Sequence, residues 1–476
     1  LIGQFGVGFY SCFMVADKVE VHTRKAGQDQ AWRWSSTGTG EFSITEAEAR
    51  ARGTEIVLYI NPEEKVYLDK FRVRHIAETY SDHISFPIEY IDETGSTEVI
   101  NKASALWARP KSEISEEQYH EFYHHVAHSP DEPWMTLHSQ VEGQLSYSYL
   151  LFIPSAKPFD LFNPDRRQRV KLYVKRVFIT EENIELVPAY MRFLRGVIDS
   201  EDLPLNISRE TLQQNPMIDK IRASIAKRVL GELKKRADKA PEEYQKFWEI
   251  FGPVLKEGLC EQIAEKERLL EVCRFYSTAS QSQLVSLDEY VARMPEGQEA
   301  IYFLTGDNID SMRHSPQIEG LLKRGVEVLL LNDHVDDFWI NVVPAYKDTP
   351  LKSAMRAGED ITKLGEGEAD KEPDAEPEQK QSKAIELFIA KVKSVLGEQV
   401  KDVRTTHKLT ESPVCLAVGE GDMDIRMERF LLEHKQLPQG SAKILELNPE
   451  HPIITALADM TAAGKDIDEV ESAIDL

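Results

Sequence analysis

Leu1-Ile2-Gly3-Gln4-Phe5-Gly6-Val7-Gly8-Phe9-Tyr10-Ser11 opens the chain, and the rest is organised around it. Three glycines at spacings of three and two precede an apolar run, Phe9, Phe13, Met14 and Val15, whose spacing suits a helix. Glycine lets backbone come close to a ligand and adopt positive φ. A glycine turn leading into a helix N-terminus aims unpaired N–H groups, and the positive end of the helix dipole, at whatever sits there. A phosphate is the natural occupant. A tight turn before a core helix uses the same residues, so the glycine pattern alone leaves both readings open.

The ends of the chain carry a second message. Nothing precedes the glycine turn, and the chain stops at Leu476 inside an amphipathic run of Ile467, Val470, Ala473 and Ile474. The expectation is a piece of a longer protein. At 476 residues the chain is too long for one core and calls for about three domains. Its 41% hydrophobic content is ample for packed cores, and no uninterrupted apolar run reaches the length of a membrane span. With 81 acidic against 57 basic residues the formal charge is −24. Such a surface repels nucleic acid and resists aggregation. Cys12, Cys260, Cys273 and Cys415 are scattered without a C-x-x-C pair, which points to neither a disulfide framework nor a zinc site and favours a reducing cytoplasm.

Past the opening, alternating runs at 19–23, 32–34 and 56–60 read as an antiparallel sheet with one buried face. A helix around 65–80 and a strand at 83–90 complete this layer. Residues 92–112 form a plausible boundary. Strands follow at 147–153, 170–179, 301–304 and 326–331, with helices at 218–237 and around 244–264. Asn215 is a good cap and Pro216 a good first residue for the first of these, whose stripe is Ile218, Ile221, Ile225, Val229 and Leu233. Residues 366–382 carry no apolar side chain larger than alanine and read as a solvated acidic linker. A helix from Ile385 to Leu396 ends at Gly397, and strands at 400–405 and 414–418 with helices near 424–434 and 452–460 make a small α+β domain.

The most informative interior stretch is Ser200-Glu201-Asp202-Leu203-Pro204-Leu205-Asn206-Ile207-Ser208-Arg209-Glu210-Thr211-Leu212-Gln213-Gln214. Pro204 stiffens a polar loop, and Ser208 caps a short helix whose first turn holds Arg209. A cation there opposes the helix dipole. His120, His124 and His128 lie at helical spacing, but no acidic or cysteine ligand converges on them, so a solvated face is the better reading than a metal site.

GQFGVGFYS and SEDLPLNISRETLQQ together resemble the ninety-kilodalton heat-shock chaperones, as do NKASALW at 101–107, PFDLF at 158–162, VKLYVKRVFI at 170–179 and ILELNPEHP at 444–452. The resemblance implies a multidomain fold of α/β and α+β parts. Residues 1–100 would be the C-terminal part of a split-ATPase α/β sandwich of the gyrase and histidine-kinase type. Residues 101–365 would be an α/β middle domain with a helical segment, 366–382 the linker, and 383–476 a truncated dimerisation domain. It implies ATP and Mg²⁺ as cofactors, with Gly3, Gln4, Phe5, Gly6, Val7, Gly8 and Phe9 at the phosphates, Thr54 near the adenine end, and Arg209 with Gln213 completing catalysis from the middle domain. That is an arginine finger supplied by another domain. The family's catalytic glutamate, magnesium-holding asparagine and adenine-reading aspartate would lie ahead of Leu1, so the chain alone is not expected to hydrolyse ATP.

Implied partners are partly folded clients and a second copy in a homodimer, with no nucleic acid and no membrane. Candidate client contacts are Trp134, Phe159, Leu161, Phe162, Met423, Met427 and Phe430, since methionine and aromatic patches suit adaptable surfaces. Two other classes stay open at this point: a DNA-processing ATPase of the same superfamily, such as gyrase B or a mismatch-repair clamp, and an ATP-independent scaffold. Limited proteolysis is expected to cut first between residues 366 and 382; resistance there, with cleavage inside a packed region, would misplace the boundary.

Overall fold

A computed structural model describes residues 7–163, 165, 167–182, 184–204, 215–261, 265–356, 375–419 and 421–475, with backbone alone at 375–382. The chain divides into two compact units, Leu1–Ile225 and Ala226–Leu476.

In the first unit, β1 (Ala16–Arg24), β2 (Ala31–Ser36), β3 (Phe42–Ala47) and β4 (Gly53–Ile60) form an antiparallel sheet in the order β3-β2-β1-β4. Val19 is fully buried, whereas Ile44, Ile56 and Leu58 face solvent. The expected helix after the glycine turn is a 3₁₀ segment, Gly8–Met14. It has no side-chain cap, and its Phe9 ring packs edge-on against Trp34 with centroids 5.7 Å apart. α1 (Lys70–Ser81) is capped by Asp69, whose Oδ1 accepts the Arg72 N–H at 2.9 Å.

The strand expected at 83–90 is reduced to β5 (Glu89–Ile91), paired with β6 (Thr97–Val99). Asn101 takes up the backbone that a longer strand would need. Its Oδ1 accepts the Ile88 N–H at 2.7 Å, and its Nδ2 donates to the Ser81 and Phe86 carbonyls. α2 (Glu116–Ala127) begins at a Ser115–Gln118 capping box and ends at His128 with φ of 50°.

β7 (Pro133–Val141), β8 (Tyr147–Pro154), β9 (Arg169–Val174), β10 (Val177–Thr180) and β11 (Arg195–Ser200) make a sheet in the order β10-β9-β11-β8-β7. β11 runs parallel to β9 and the other pairs are antiparallel. The single run expected at 170–179 is therefore a hairpin. Lys175 and Arg176, both at positive φ (52° and 66°), make its two-residue turn, because that turn geometry matches the twist of the strands. α2 covers the sheet through Phe122, Tyr123 and Val126, which pack with Trp107, Leu150, Phe152 and Val197.

α3 (Pro216–Lys239) starts as the sequence indicates. The Asn215 side chain accepts the Met217 N–H at 2.9 Å, and the stripe from Ile218 to Leu233 is buried. The second unit continues with α4 (Pro241–Glu261) and α5 (Lys266–Val272). A mixed sheet is then built from β12 (Phe275–Ser277), β13 (Ser280–Val285), β14 (Ile301–Thr305), β15 (Val328–Leu331), β16 (Ala345–Tyr346) and β17 (Thr349–Ser353). Its order is β13-β12-β15-β14-β17-β16, with β14 parallel to both neighbours. α6 (Leu287–Arg293), α7 (Ile309–Arg313), α8 (Glu319–Lys323) and α9 (Asp336–Trp339) connect these strands.

α10 (Ala375–Leu396) begins inside the stretch expected as a linker and ends, as expected, at Gly397 with φ of 50°. β18 (Val400–Thr405), β19 (Val414–Ala417), α11 (Ile425–Glu433), β20 (Lys443–Leu447), α12 (Pro452–Ala463) and α13 (Ile467–Asp475) follow. β20 lies between β18 and β19. Phe388 and Val392 of α10 pack against Val403, Ile454 and Val470 in one core.

Gly196, the second residue of β11, has φ of 131°, and a Cβ there would meet the Leu150 carbonyl oxygen at 2.1 Å. Gly196→Ala should lower unfolding stability by at least ~2 kcal/mol, because neither the backbone nor the neighbouring strand can yield. Gly143→Ala, where a Cβ would meet nothing within 4 Å, should stay within about 0.5 kcal/mol. Denaturant midpoints of the two variants test the contrast; equal midpoints would refute it.

Candidate functional site

Of the expected phosphate loop, Gly3, Gln4, Phe5 and Gly6 lie outside the described residues. Val7, Gly8 and Phe9 lead into the 3₁₀ segment, where the Ser11 hydroxyl donates to the Gly8 carbonyl at 2.6 Å. Thr54 stands near the start of β4, opposite Thr23, their hydroxyl oxygens 2.8 Å apart. A Cβ at Gly8 or at Gly53 would meet nothing within 4 Å, so the backbone is open to close approach at both places.

Arg209 and Gln213 also lie outside the described residues, but the ends of the segment that holds them are well defined. At the first end, β11 is buried along its whole length. Beyond it the Ser200 hydroxyl accepts the N–H groups of Asp202 and Leu203, both at 3.3 Å. Asp202 Oδ2 accepts the Ser146 N–H at 2.7 Å, the Glu201 N–H donates to the Ser146 carbonyl at 3.0 Å, and Leu203 is fully buried. At the far end Asn215 caps α3, and Tyr147 on β8 donates to the Ser224 hydroxyl at 2.9 Å. Residues 205–214 thus run between two fixed points.

Asp199 organises the base of this root. Its Oδ2 accepts the Trp107 indole N–H at 2.8 Å, and its Oδ1 accepts the Arg176 N–H at 3.2 Å. Burial raises the Asp199 pKa above the ordinary carboxylate range, although both hydrogen bonds pull the other way. Above it opens a cleft of about 1060 Å³ lined by Ser85, Glu142, Ser146, Lys175, Arg176 and Glu201, among others. The Arg176 guanidinium donates to the Ser85 hydroxyl at 2.9 Å. Behind Trp107, the His138 Nε2–H donates to the Trp107 carbonyl at 3.0 Å, while Nδ1 accepts from the Tyr119 hydroxyl at 2.8 Å. Burial holds His138 below its usual pKa, in the neutral form this arrangement needs. Sequence reasoning passed over Asp199 and Trp107 as a pair, because the two lie 92 residues apart.

Among the described residues no group of three or more His, Cys, Asp or Glu side chains is placed to hold a metal ion. His120 Nδ1 approaches Glu132 at 2.7 Å, His124 Nε2–H donates to the Asp131 carbonyl at 3.0 Å, and His128 ends α2. Among the proposed client contacts, Phe159 is 98% exposed and Phe162 half so, with the Lys157 ammonium 4.5 Å from its ring centre. Leu161 departs from expectation. It is buried, and its carbonyl accepts the Arg192 Nε–H at 2.7 Å, so it anchors the loop from below. Trp134 is partly covered on β7. Met423 is exposed just ahead of α11, on which Met427 and Phe430 are half-buried, with Phe430 edge-on to Phe338 at 5.6 Å.

A family model described as Hsp90 protein matches residues 91–476. "Chaperone protein HtpG" of Rickettsia massiliae is 54% identical over 477 residues, spanning all of this chain and 76% of that protein. The protein of that name from Rickettsia typhi shows the same identity and coverage. That of Wolbachia pipientis wMel is 51% identical over 479 residues, covering 100% of this chain and 75% of its own length. On this similarity, carried across both units, the chain belongs to the Hsp90 family.

Proposed function

We propose that the chain works in an ATP-dependent molecular chaperone, a homodimeric clamp that closes on partly folded proteins. Its Hsp90 relatives, named chaperone proteins, support the chaperone part of this reading. In it, residues 1–100 belong to a nucleotide domain, 101–365 to a middle domain, 366–382 to a linker and 383–476 to a dimerisation domain. Gly3 to Phe9 and Thr54 hold ATP through backbone and hydroxyl groups, and Arg209 with Gln213 reaches its γ-phosphate from the segment beyond β11. ATP supplies the phosphoryl group; the chain's own residues supply position and charge. Phe159, Phe162, Trp134, Met423, Met427 and Phe430 are the client contacts. A cytoplasmic location belongs to the same proposal. Among the described residues no helix is long and apolar enough to cross a membrane. A net charge of −24 weighs against a DNA-processing relative.

The observation that carries the reading is the pinned root of the 205–214 segment, with Ser200 and Asp202 at one end and the Asn215 cap at the other. An arginine finger contributes only if its guanidinium arrives at one place, and a fixed root supplies that. In a protein carrying the whole nucleotide domain, Arg209→Ala should leave ATP affinity nearly intact and slow hydrolysis. Arginine fingers contribute on the order of 10³–10⁵ in GTPases. Domain closure limits a slow ATPase before chemistry does, so a loss of about tenfold or more is expected. Arg209→Lys should rescue poorly, since a point charge cannot reproduce the planar fork. Single-turnover hydrolysis measured beside nucleotide affinity decides it; unchanged hydrolysis in Arg209→Ala would reduce Arg209 to an ordinary surface residue.

A further inference from the structure

The mixed sheet of the second unit has a topological switch. β14 comes first, the chain crosses through α7 and α8 to β15 on one side, and later returns to β17 on the other. Strand orders of this kind open a crevice beyond the C-terminal ends of the strands flanking the switch, the place where open α/β sheets bind ligands. Here the strand ends are Thr305 and Ser353, and the crevice is filled by the chain itself. Asp424, immediately ahead of α11, sets its Oδ1 at 3.2 Å from the Thr305 hydroxyl and its Oδ2 at 3.5 Å from that of Ser353. Ile425 packs on the core beneath.

Arg426 follows, and its surroundings amount to a guanidinium cage. Nε faces Asp307 Oδ1 at 2.9 Å and Asp337 Oδ2 at 3.3 Å. One terminal nitrogen donates to the Leu331 and Asp333 carbonyls at 3.3 and 3.4 Å, and the other to the Asn332 carbonyl at 3.0 Å and His334 Nδ1 at 3.4 Å. Three consecutive carbonyls at the end of β15 and two carboxylates therefore converge on one planar cation, which matches the fork geometry of arginine and not the point charge of lysine.

The lining around Arg426 is acidic and not fully satisfied by it. Asp337 is buried, its Oδ1 has no hydrogen-bond partner among the described residues, and burial pushes its pKa up to about 7 against the pull of Arg426. Asp424, Asp336 and Asp307 add to the rise. Burial also raises Asp424. The buried Lys256 cannot serve, because Asp333 and Asp336 already hold its ammonium, both at 2.8 Å. α11 meanwhile is tied elsewhere by Glu428, which accepts from Ser441 and Lys443 near the start of β20. Its hold on the sheet end thus rests on the Asp424–Arg426 turn, the Phe430 edge contact with Phe338 and the exposed Arg429, whose Nη1 lies 3.9 Å from Asp307 Oδ2.

We propose that the switch-point crevice is a guanidinium-binding site whose resident ligand is Arg426, which makes α11 a strap that detaches from the sheet when that side chain leaves. The ligand class is a guanidinium group, so the competitor the cage would accept is an arginine side chain presented by another polypeptide. Hydrogen exchange by mass spectrometry on the full 476-residue chain tests this. In Arg426→Ala, amides of 425–433 should exchange at least about tenfold faster than in the parent, as loss of hydrogen bonds to a charged group implies. Millimolar guanidinium, far below denaturing levels, should return them toward the parent rate, and methylammonium should not. Unchanged exchange in 425–433, or acceleration that guanidinium fails to reverse, would overturn the proposal. Should Arg426→Ala also accelerate α12, a sign of wider unfolding, Asp307→Asn replaces it. Asp307 is largely exposed, so the fold should tolerate the change. Faster exchange confined to 425–433 is then expected, and none would overturn the proposal equally.

Discussion

The first unit depends on the hydrogen bond between the Trp107 indole and Asp199 Oδ2, 2.8 Å long and shut away from water. It draws the stretch ahead of α2 onto the end of the central strand of the sheet. The same carboxylate, through Oδ1, takes the Arg176 N–H and so fixes the β9–β10 turn. A buried carboxylate that lost either donor would carry its desolvation cost uncompensated, on the order of 1–3 kcal/mol. Because Asp199 sits one residue before Ser200, whose hydroxyl ties down Asp202 and Leu203, any slackness at the tryptophan passes directly into the loop root.

The second unit solves a similar problem with charge. Lys256 on α4 is buried, which alone would lower its pKa, but Asp336 and Asp333 outweigh that and raise it. The Trp339 indole donates to the same Asp336 oxygen at 2.6 Å, so α4 and α9 meet at a pair whose partners are all satisfied. Beside it Cys273 is buried and its thiol is pushed up to about 12, which makes it a packing residue and not a nucleophile. Cys415 is held in the same way. Buried ion pairs of this kind are weak evidence for stability but costly to break from one side.

Long periodic elements were legible from residues alone. α3, with its Asn215 cap and five-residue stripe, is where the sequence puts it, and α10 stops at Gly397 as expected although it starts at Ala375, inside the stretch read as a linker. What failed were places where one polar residue overrode a pattern. The apolar run of 170–179 hides a turn because Lys175 and Arg176 adopt left-handed backbone that no periodicity reveals. The run of 83–90 loses its strand to Asn101, a residue that reads as linker until its three hydrogen bonds are seen. Leu161 resembles its exposed neighbours in sequence, yet a single carbonyl contact with Arg192 turns it inward. Near the candidate site, the Trp107–Asp199 pair at the end of β11 depends on a long-range contact invisible to local pattern.

That root bears on how a polar segment beyond a buried strand can serve precise chemistry. Docking a loop onto a second domain costs the ordering of each side chain and of the backbone that carries it. Closing a loop between fixed ends costs an entropy that grows only slowly with length, and here it has been met during folding, by Leu203 in the core and by the Asn215 cap. In the proposed role of Arg209, the conformational cost of presenting it would move from the docking step into the stability of β11 and α3. A substitution that loosened either anchor would accordingly weaken docking without touching any residue in contact with nucleotide. Gly196→Ala and loss of the Trp107 bond would both act on β11, so in the proposed reading they would weaken the presentation of Arg209 from the fold side.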